Sequence, residues 1–152
     1  MREAILFSGF GGQGVMFAGQ LLAYAAMDAG LEVTWIPSYG PEMRGGTAHC
    51  LVVISDQPIG SPLVERPSVA VTFNAPSFTK YEPLVAVDGL LVVNESLVAA
   101  RSERHDLTEL RIPATQMATQ LGDARVANML LLAAALSARR IMPLSAVEAA
   151  LD

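Results

Sequence analysis

Short apolar runs and helical patterns alternate along the chain. Each apolar run ends at glycine, proline or polar residues, which is typical of a buried β-strand. Strands are predicted over residues 4–8, 31–36, 47–55, 68–73, 90–93 and 107–112. Because helical patterns separate several of these runs, the order favours a parallel sheet. We therefore expect an α/β fold with a largely parallel sheet and helices on both faces, formed by residues 1–152 as a single domain.

The helical segments are recognised by apolar residues that recur every three or four positions. The first helix is predicted over residues 13–29, and Gly30 follows at the position where helices commonly end. Further helices are predicted over residues 76–81, 113–121, 123–140 and 146–151, the last with Ser145 as its N-terminal cap. Residues 95–106 carry many of the charges and are expected to form a surface segment.

The composition limits the classes of protein that the chain can belong to. Fifteen acidic and ten basic residues give a net charge of −5, and 52% of the residues are apolar. Only 16% are charged, where about 25% is usual for a soluble domain. A disordered tail is excluded, and a nucleic-acid-binding protein is disfavoured because it needs a basic surface to contact phosphates. So few charges leave apolar surface, which predicts either a membrane protein or a subunit covered by partners.

The membrane alternative is disfavoured. No charged residue lies between Ala4 and Met27, but glycines and glutamines interrupt this segment, and no signal-peptide pattern is present. The apolar segment 126–138 is shorter than the roughly 20 residues that span a bilayer. The single cysteine, Cys50, fits a reducing compartment and cannot supply the four or so thiolates of an iron–sulfur cluster. We expect a cytoplasmic chain that other subunits cover.

The first glycine-rich segment follows the first predicted strand and precedes the first helix. It matches the pattern GxGxxG, and its candidate binding residues are Gly9, Gly11, Gly12, Gln13 and Gly14. Glycines in this position allow a tight turn and the close approach of an anion to a helix N-terminus. Equally, they could serve only the turn and the packing of helix on sheet. NAD binding is disfavoured because the second strand ends near Pro37 without the carboxylate that holds the adenine ribose.

The second glycine-rich segment leaves the carboxyl end of the second predicted strand. Its candidate binding residues are Tyr39, Gly40, Arg44, Gly45 and Gly46. Open α/β sheets place ligands at this edge, and a guanidinium binds a phosphate or carboxylate bidentately. The alternative is a surface loop in which the arginine pairs with Glu42. Both segments are expected at one edge of the sheet, so we predict that they act together.

No catalytic or metal-binding residue is predicted elsewhere. His49 is expected to be a strand histidine with one hydrogen bond, and His105 to be solvated. Two histidines this far apart in the sequence do not indicate a metal site.

The two glycine-rich segments, GFGGQGV at residues 9–15 and SYGPEMRGG at residues 38–46, together resemble the gamma subunits of the 2-oxoacid:ferredoxin (acceptor) oxidoreductases. The resemblance covers nearly the whole chain. Further matching positions are DQPI at 56–59, Asn94, PAT at 113–115 and ANM at 127–129. Family members usually continue with another helical stretch, whereas this sequence ends at Asp152.

The resemblance implies a Rossmann-like fold and a non-catalytic gamma subunit that is inactive alone. Such complexes convert a 2-oxoacid and coenzyme A to acyl-CoA and carbon dioxide while reducing ferredoxin. It also implies thiamine diphosphate on alpha and beta subunits, iron–sulfur clusters on other subunits, and a ferredoxin-like partner. No cofactor is expected on this chain alone, and neither nucleic acid nor membrane is an expected partner. 2-Oxoglutarate is the weakly preferred substrate, and a stand-alone Rossmann-type nucleotide-binding enzyme is the alternative.

Overall fold

The computed structural model describes residues 1–38, 47–61 and 64–151, and the strands in these ranges form one sheet. They are β1 Arg2–Phe10, β2 Glu32–Ser38, β3 Thr47–Ser55, β4 Val69–Thr72, β5 Gly89–Asn94 and β6 Leu107–Ile112. The described helices are α1 Val15–Asp28, α2 Ala75–Tyr81, α3 Ala114–Gln120, α4 Ala127–Arg139 and α5 Leu144–Ala150. Each predicted strand is present, and β3 and β6 have the predicted bounds.

The strands are arranged in the order β2-β3-β1-β4-β5-β6. β1, β4, β5 and β6 pair in parallel, whereas β3 is antiparallel to both β1 and β2. Five described strands therefore point the same way and β3 runs against them. A parallel connection from β2 to β3 would need a crossover of a dozen or more residues, and the chain between Ser38 and Thr47 is shorter than that.

Helices cover both faces of the sheet. Each face of the sheet has its own hydrophobic core. Alternate residues of a strand belong to different cores, since successive side chains point to opposite faces. On one face Ile5, Phe7 and the neighbouring strand residues pack against α1, α4 and α5. On the other face Leu6 and its neighbours pack against Phe78 and Tyr81 of α2. The predicted α/β class, with a mostly parallel sheet and helices on both faces, is confirmed.

The connections reverse direction at the centre of the sheet. α1 leads from β1 outward to β2 on the first face, and α2 leads from β4 outward to β5 on the second face. The connections from β1 and from β4 thus lead toward opposite outer strands of the sheet, and the switch point lies between these two strands. Open α/β sheets bind ligands outside the carboxyl ends of the strands at such a switch point. The first glycine-rich segment follows β1 at this position.

Two predicted helix boundaries were wrong. Ser145 does not cap the last helix but lies within α5, which begins at Leu144 after Pro143 at the cap position. The predicted helix over 123–140 begins as a short 3₁₀ turn, Ala124–Val126, and becomes α-helical at Ala127. Asp123 caps the turn, because its side chain accepts a hydrogen bond from the backbone N–H of Arg125. A residue with its own local hydrogen bond of this kind interrupts the α-helical ladder.

The charged segment 95–106 forms no regular helix or strand, as expected for a surface segment. Among the residues that the structure describes, no helix is both long enough and apolar enough to span a bilayer.

Candidate functional site

Both glycine-rich segments join the sheet on the side where β1, β2 and β4 have their carboxyl ends. We call this side, which includes the switch point, the switch-point edge. In the register of β1 and β3, Phe10 lies opposite Thr47, and Ser38 at the end of β2 lies opposite His49. The first segment continues from Phe10 into a tight turn, and the second connects Ser38 to Thr47. The binding candidates Tyr39, Gly40, Arg44, Gly45 and Gly46 lie outside the described residues, so their contacts stay a prediction.

The glycines of the first segment serve different purposes. A Cβ on Gly9 would lie 2.6 Å from both the Gln13 Oε1 and the Phe73 Cβ, so the strand end packs too closely for a side chain. Gly12 and Gly14 have φ angles of +90° and +77°, in the left-handed region that glycine adopts without steric cost. No described atom lies within 4 Å of a Cβ built on Gly12, so its backbone faces open space.

The side chain of Gln13 folds back onto the turn. Its Oε1 accepts a hydrogen bond of 2.7 Å from the backbone N–H of Phe10. The backbone N–H of Gln13 donates to the Phe10 carbonyl at 3.2 Å. The amide of Asn74 donates to the same Oε1 at 3.5 Å. These bonds give Gln13 a structural role in closing the turn, while its contact with a ligand stays a prediction.

Asn94, at the end of β5, joins three elements beside the glycine turn. Its Nδ2 donates to the Phe73 carbonyl at 3.1 Å and to the Thr115 Oγ1 at 2.9 Å. Its Oδ1 accepts from the backbone N–H of Ala114 at 3.1 Å. The side chain is 1% exposed, so these bonds replace those to water and fix the start of α3 against the ends of β4 and β5.

A cavity of about 260 Å³ opens between these elements. Its lining includes Gly12, Gln13, Asn94, Thr115 and Arg125. The Arg125 side chain is 90% exposed, and its guanidinium donates to both carboxylate oxygens of Asp123, which lowers the pKa of that carboxyl group. The cavity therefore has a glycine backbone on one side, amide and hydroxyl groups on another, and a cation at its mouth.

A second groove, of about 340 Å³, lies on the other side of the turn and is lined by Phe10, Gly11, Phe17 and Ala48 among others. Another cavity, of about 520 Å³, lies between α4 and α5 around Ser137 and Met142. It belongs to the opposite edge of the sheet, because the neighbouring Arg139 pairs with Glu3 near the start of β1. The cavities of about 260 and 340 Å³ thus flank the glycine turn.

Several residues of this edge were not predicted as site residues. The sequence marks Asn94 and Thr115 only as matching positions of the resemblance, and its pattern predicts Arg125 within a helix. Their proximity to Gly12 depends on the strand order, which the local sequence pattern does not contain.

The described part of the chain offers no group of three or more His, Cys, Asp or Glu side chains that could hold a metal ion. Cys50 is fully buried on β3, and its thiol donates to the Val15 carbonyl at 3.7 Å. Burial raises the pKa of the Cys50 thiol to about 11. A thiol in this state is unreactive, since the thiolate is the metal-binding and nucleophilic form.

Comparison with known proteins identifies the relatives of this fold. Residues 4–152 match the family described as pyruvate ferredoxin/flavodoxin oxidoreductase. The chain belongs to this oxidoreductase family. It is 36% identical to the 2-oxoglutarate synthase subunit KorC of Methanocaldococcus jannaschii, across 99% of this chain and 82% of that protein. Its structure superposes on the keto/oxoacid ferredoxin oxidoreductase gamma subunit of Geobacter sulfurreducens with a TM-score of 0.88 and 28% identity, covering 99% of this chain and 83% of that chain.

Some members of the oxidoreductase family carry the equivalent domain within a longer chain. The ketoisovalerate oxidoreductase subunit VorA of Methanothermobacter marburgensis is 41% identical over 128 residues. These residues are 84% of this chain but 27% of VorA, so the chain spans about a quarter of that relative.

The residues of this family member do not fit an iron–sulfur cluster. A cluster needs about four thiolates, whereas the sequence contains one cysteine, whose thiol is buried and protonated.

Proposed function

We propose that the chain is the non-catalytic gamma subunit of a thiamine diphosphate-dependent 2-oxoacid:ferredoxin oxidoreductase. The observation that carries the proposal is the similarity to KorC, which extends over 99% of this chain and 82% of that protein. In the reaction, the 2-oxoacid and coenzyme A yield acyl-CoA and carbon dioxide, and the two electrons released reduce ferredoxin. Thiamine diphosphate and the iron–sulfur clusters belong to the partner subunits in this proposal.

The outward face of α1 supports an assembly with partners. Phe17, Tyr24 and Met27 are large apolar side chains that are 51%, 52% and 59% exposed. They lie along one side of a helix that has no charged residue before Asp28. Exposed apolar patches of this kind mark contact sites between proteins. We propose that subunits carrying the thiamine and ferredoxin functions cover this part of the surface.

We propose that the glycine turn and the segment 39–46 together face the assembled active site. Backbone N–H groups of the glycines and the Arg44 guanidinium would hold an anion, either a phosphate of coenzyme A or a carboxylate of a partner. The left-handed Gly12, with open space above its backbone, supports close approach of such a group.

A stand-alone NAD enzyme is the less favoured function. The only carboxylate of β2 is Glu32, which lies opposite Ser55 at the far edge of the sheet from the glycine turn. β2 ends at Ser38 and carries no carboxylate at its carboxyl end, where NAD enzymes hold the adenine ribose. We expect no specific binding of NAD at micromolar concentration, as measured by calorimetry.

A 2-oxoacid is the proposed substrate class, and 2-oxoglutarate is the first member to test. KorC, named for 2-oxoglutarate, is 36% identical and matched over 82% of its own length, whereas VorA, named for ketoisovalerate, is matched over 27% of its own length.

Reconstitution tests the proposal. We expect co-expression with the thiamine-binding and ferredoxin-like subunits to give one complex that reduces ferredoxin with a 2-oxoacid and coenzyme A. Omitting this chain should abolish that activity, and the purified chain should show none. Ferredoxin reduction by the chain alone, or full activity of the complex without it, contradicts the proposal.

A further inference from the structure

We propose that Asn128 is a positioning residue that sets the geometry of the glycine turn through Gly14. The inference rests on the proposed function, in which this turn faces the ligand. Asn128 lies in the first turn of α4, and its side chain is buried at 6% exposure. Its Nδ2 donates a hydrogen bond of 3.2 Å to the Gly14 carbonyl, 114 residues away in the chain.

The amide of Asn128 uses both of its polar atoms. Its Oδ1 accepts a hydrogen bond of 2.9 Å from the backbone N–H of Met129, which fixes the orientation of the amide. The Gly14 carbonyl also accepts the first helical bond of α1, from the N–H of Ala18 at 3.0 Å. A carbonyl oxygen has two acceptor positions, so one oxygen holds both the start of α1 and the start of α4.

Gly14 and Asn128 also fit each other sterically. A Cβ at position 14 would lie 2.4 Å from the Asn128 Nδ2, and the φ angle of Gly14 is +77°. The backbone can approach the amide this closely only because a side chain is absent. A shift of the amide therefore displaces Gly14, and with it Gln13 and Gly12 immediately before it.

This contact joins two parts of the lining of the 260 Å³ cavity. One part is Gly12 and Gln13, directly before Gly14, and the other is Arg125 and Ala127, next to Asn128. Without the Asn128 donor, the cavity would still be lined by the same residues, but the distance between the two parts of the lining would no longer be fixed.

The substitution Asn128→Asp removes the donor with almost no change in volume, because an ionised carboxylate only accepts hydrogen bonds. In the full chain, we expect hydrogen exchange of the amides of residues 11–14 to become at least tenfold faster. Asn94→Asp is the matched control: it is another buried asparagine at the same edge, and its effect should be confined to the contacts that its Nδ2 makes with Phe73 after β4 and with Thr115 in α3. Unchanged exchange at residues 11–14 in Asn128→Asp overturns the proposal.

A double-mutant cycle keeps the test valid if Asn128→Asp folds poorly. Gly14→Ala introduces the clash with the amide, and Asn128→Ala removes the amide. Each single substitution should raise the unfolding equilibrium constant by some factor. In the double variant, we expect the increase to be at least tenfold smaller than the product of the two single factors. Additive losses would show that the two residues do not constrain each other, and would overturn the proposal.

In the reconstituted complex, Asn128→Asp should raise the apparent KM for coenzyme A, or the dissociation constant of this subunit, at least fivefold more than it lowers kcat. If hydrogen exchange at residues 11–14 becomes faster but neither the KM nor the dissociation constant changes, the positioning role is overturned. If the complex with the unsubstituted chain has no 2-oxoacid activity, the proposed function has failed, and the exchange experiment still decides whether Asn128 holds the turn.

Discussion

Gly19 of α1 lies directly against the sulfur of Cys50 on β3. A Cβ at position 19 would be 2.4 Å from the Cys50 Sγ and 3.2 Å from the indole Nε1 of Trp35. The helix and the sheet are therefore in contact at backbone distance. Val15, one turn earlier, accepts the hydrogen bond of the same thiol through its carbonyl, so Cys50 contacts α1 within two turns of the glycine turn.

Replacing Gly19 by alanine should destabilise the fold. Alanine gains up to about 1 kcal/mol over glycine in a helix, but overpacking of a close-packed core costs about 1–3 kcal/mol. We expect a net loss of about 1–2 kcal/mol in the free energy of unfolding, measured by urea denaturation. Cys50→Ala removes the sulfur and should offset part of the loss in the double variant. A more stable Gly19→Ala protein would show that the helix can move away.

The buried thiol of Cys50 predicts a loss of stability at alkaline pH. Its pKa is raised by burial from 9.0 to about 11 in the folded chain. Above pH 9 the unfolded chain loses the thiol proton while the folded chain keeps it, so ionisation favours unfolding until the folded thiol also ionises. The unfolding free energy should fall by up to about 3 kcal/mol between pH 9 and 11 through this group.

Other groups titrate in the same range, so the comparison is with Cys50→Ala. The difference in unfolding free energy between the two proteins should shrink as the pH rises from 8 to 11. A constant difference would mean that the thiol is accessible to water.

Arg111 is predicted to hold the segment 95–106 in place. Its side chain is 8% exposed and donates to the carbonyls of Val98 and Ala100 and to the Glu95 carboxylate. Arg111→Ala should cost about 2–3 kcal/mol, because the segment loses several hydrogen bonds to a charged donor, and hydrogen exchange across this segment should accelerate. Arg111→Lys should rescue little, since a lysine lacks the planar fork of donors.

Arg101 provides the control for Arg111. It pairs with the same Glu95 at 3.5 Å, but its side chain is 68% exposed. An exposed ion pair contributes roughly 1 kcal/mol or less, so Arg101→Ala should leave the unfolding free energy and the exchange pattern almost unchanged. Equal effects of the two substitutions would contradict the anchoring role of Arg111.

Arg44 is predicted to bind an anion in the assembled enzyme. Arg44→Ala should leave the isolated fold intact, and it should either raise the apparent KM for coenzyme A or weaken subunit association. Truncating one partner of a desolvated charge pair costs about 2–5 kcal/mol, which corresponds to roughly thirtyfold or more in a binding constant. Both constants are measured on the reconstituted complex. Changes below threefold in each would make Arg44 an ordinary loop residue.

The order of elements could be predicted from the sequence because apolar runs, glycines and prolines act locally. The direction of β3 was not predicted, although a signal was present. The connection after Ser38 is too short for a crossover to a parallel strand, which leaves an antiparallel pairing. Ser145 was misassigned as a cap because serine is a frequent cap, whereas here Pro143 occupies that position.

The position of the glycine turn could be predicted from the sequence pattern, but the residues that hold the turn in place could not. Asn128 and Gly14 are separated by 114 residues, and their contact follows from the return of α4 to the first face of the sheet. Arg125 likewise reaches the cavity only through this return. Local spacing indicates which residues begin a helix, whereas the position where that helix docks depends on the packing of the whole domain.

The amino terminus lies at the end of the sheet away from the glycine turn. The Met1 ammonium group pairs with Asp56 at 2.9 Å, both partly exposed, and β1 runs from Arg2 to Phe10 before the turn begins. At about 3.3 Å per residue, a strand of nine residues separates the two ends by roughly 25–30 Å. A dye or biotin coupled ahead of Met1 would therefore leave the switch-point edge free. Molecules tethered to a sensor chip in this way would all present the same edge to the solution, in the orientation that binding measurements on this subunit require.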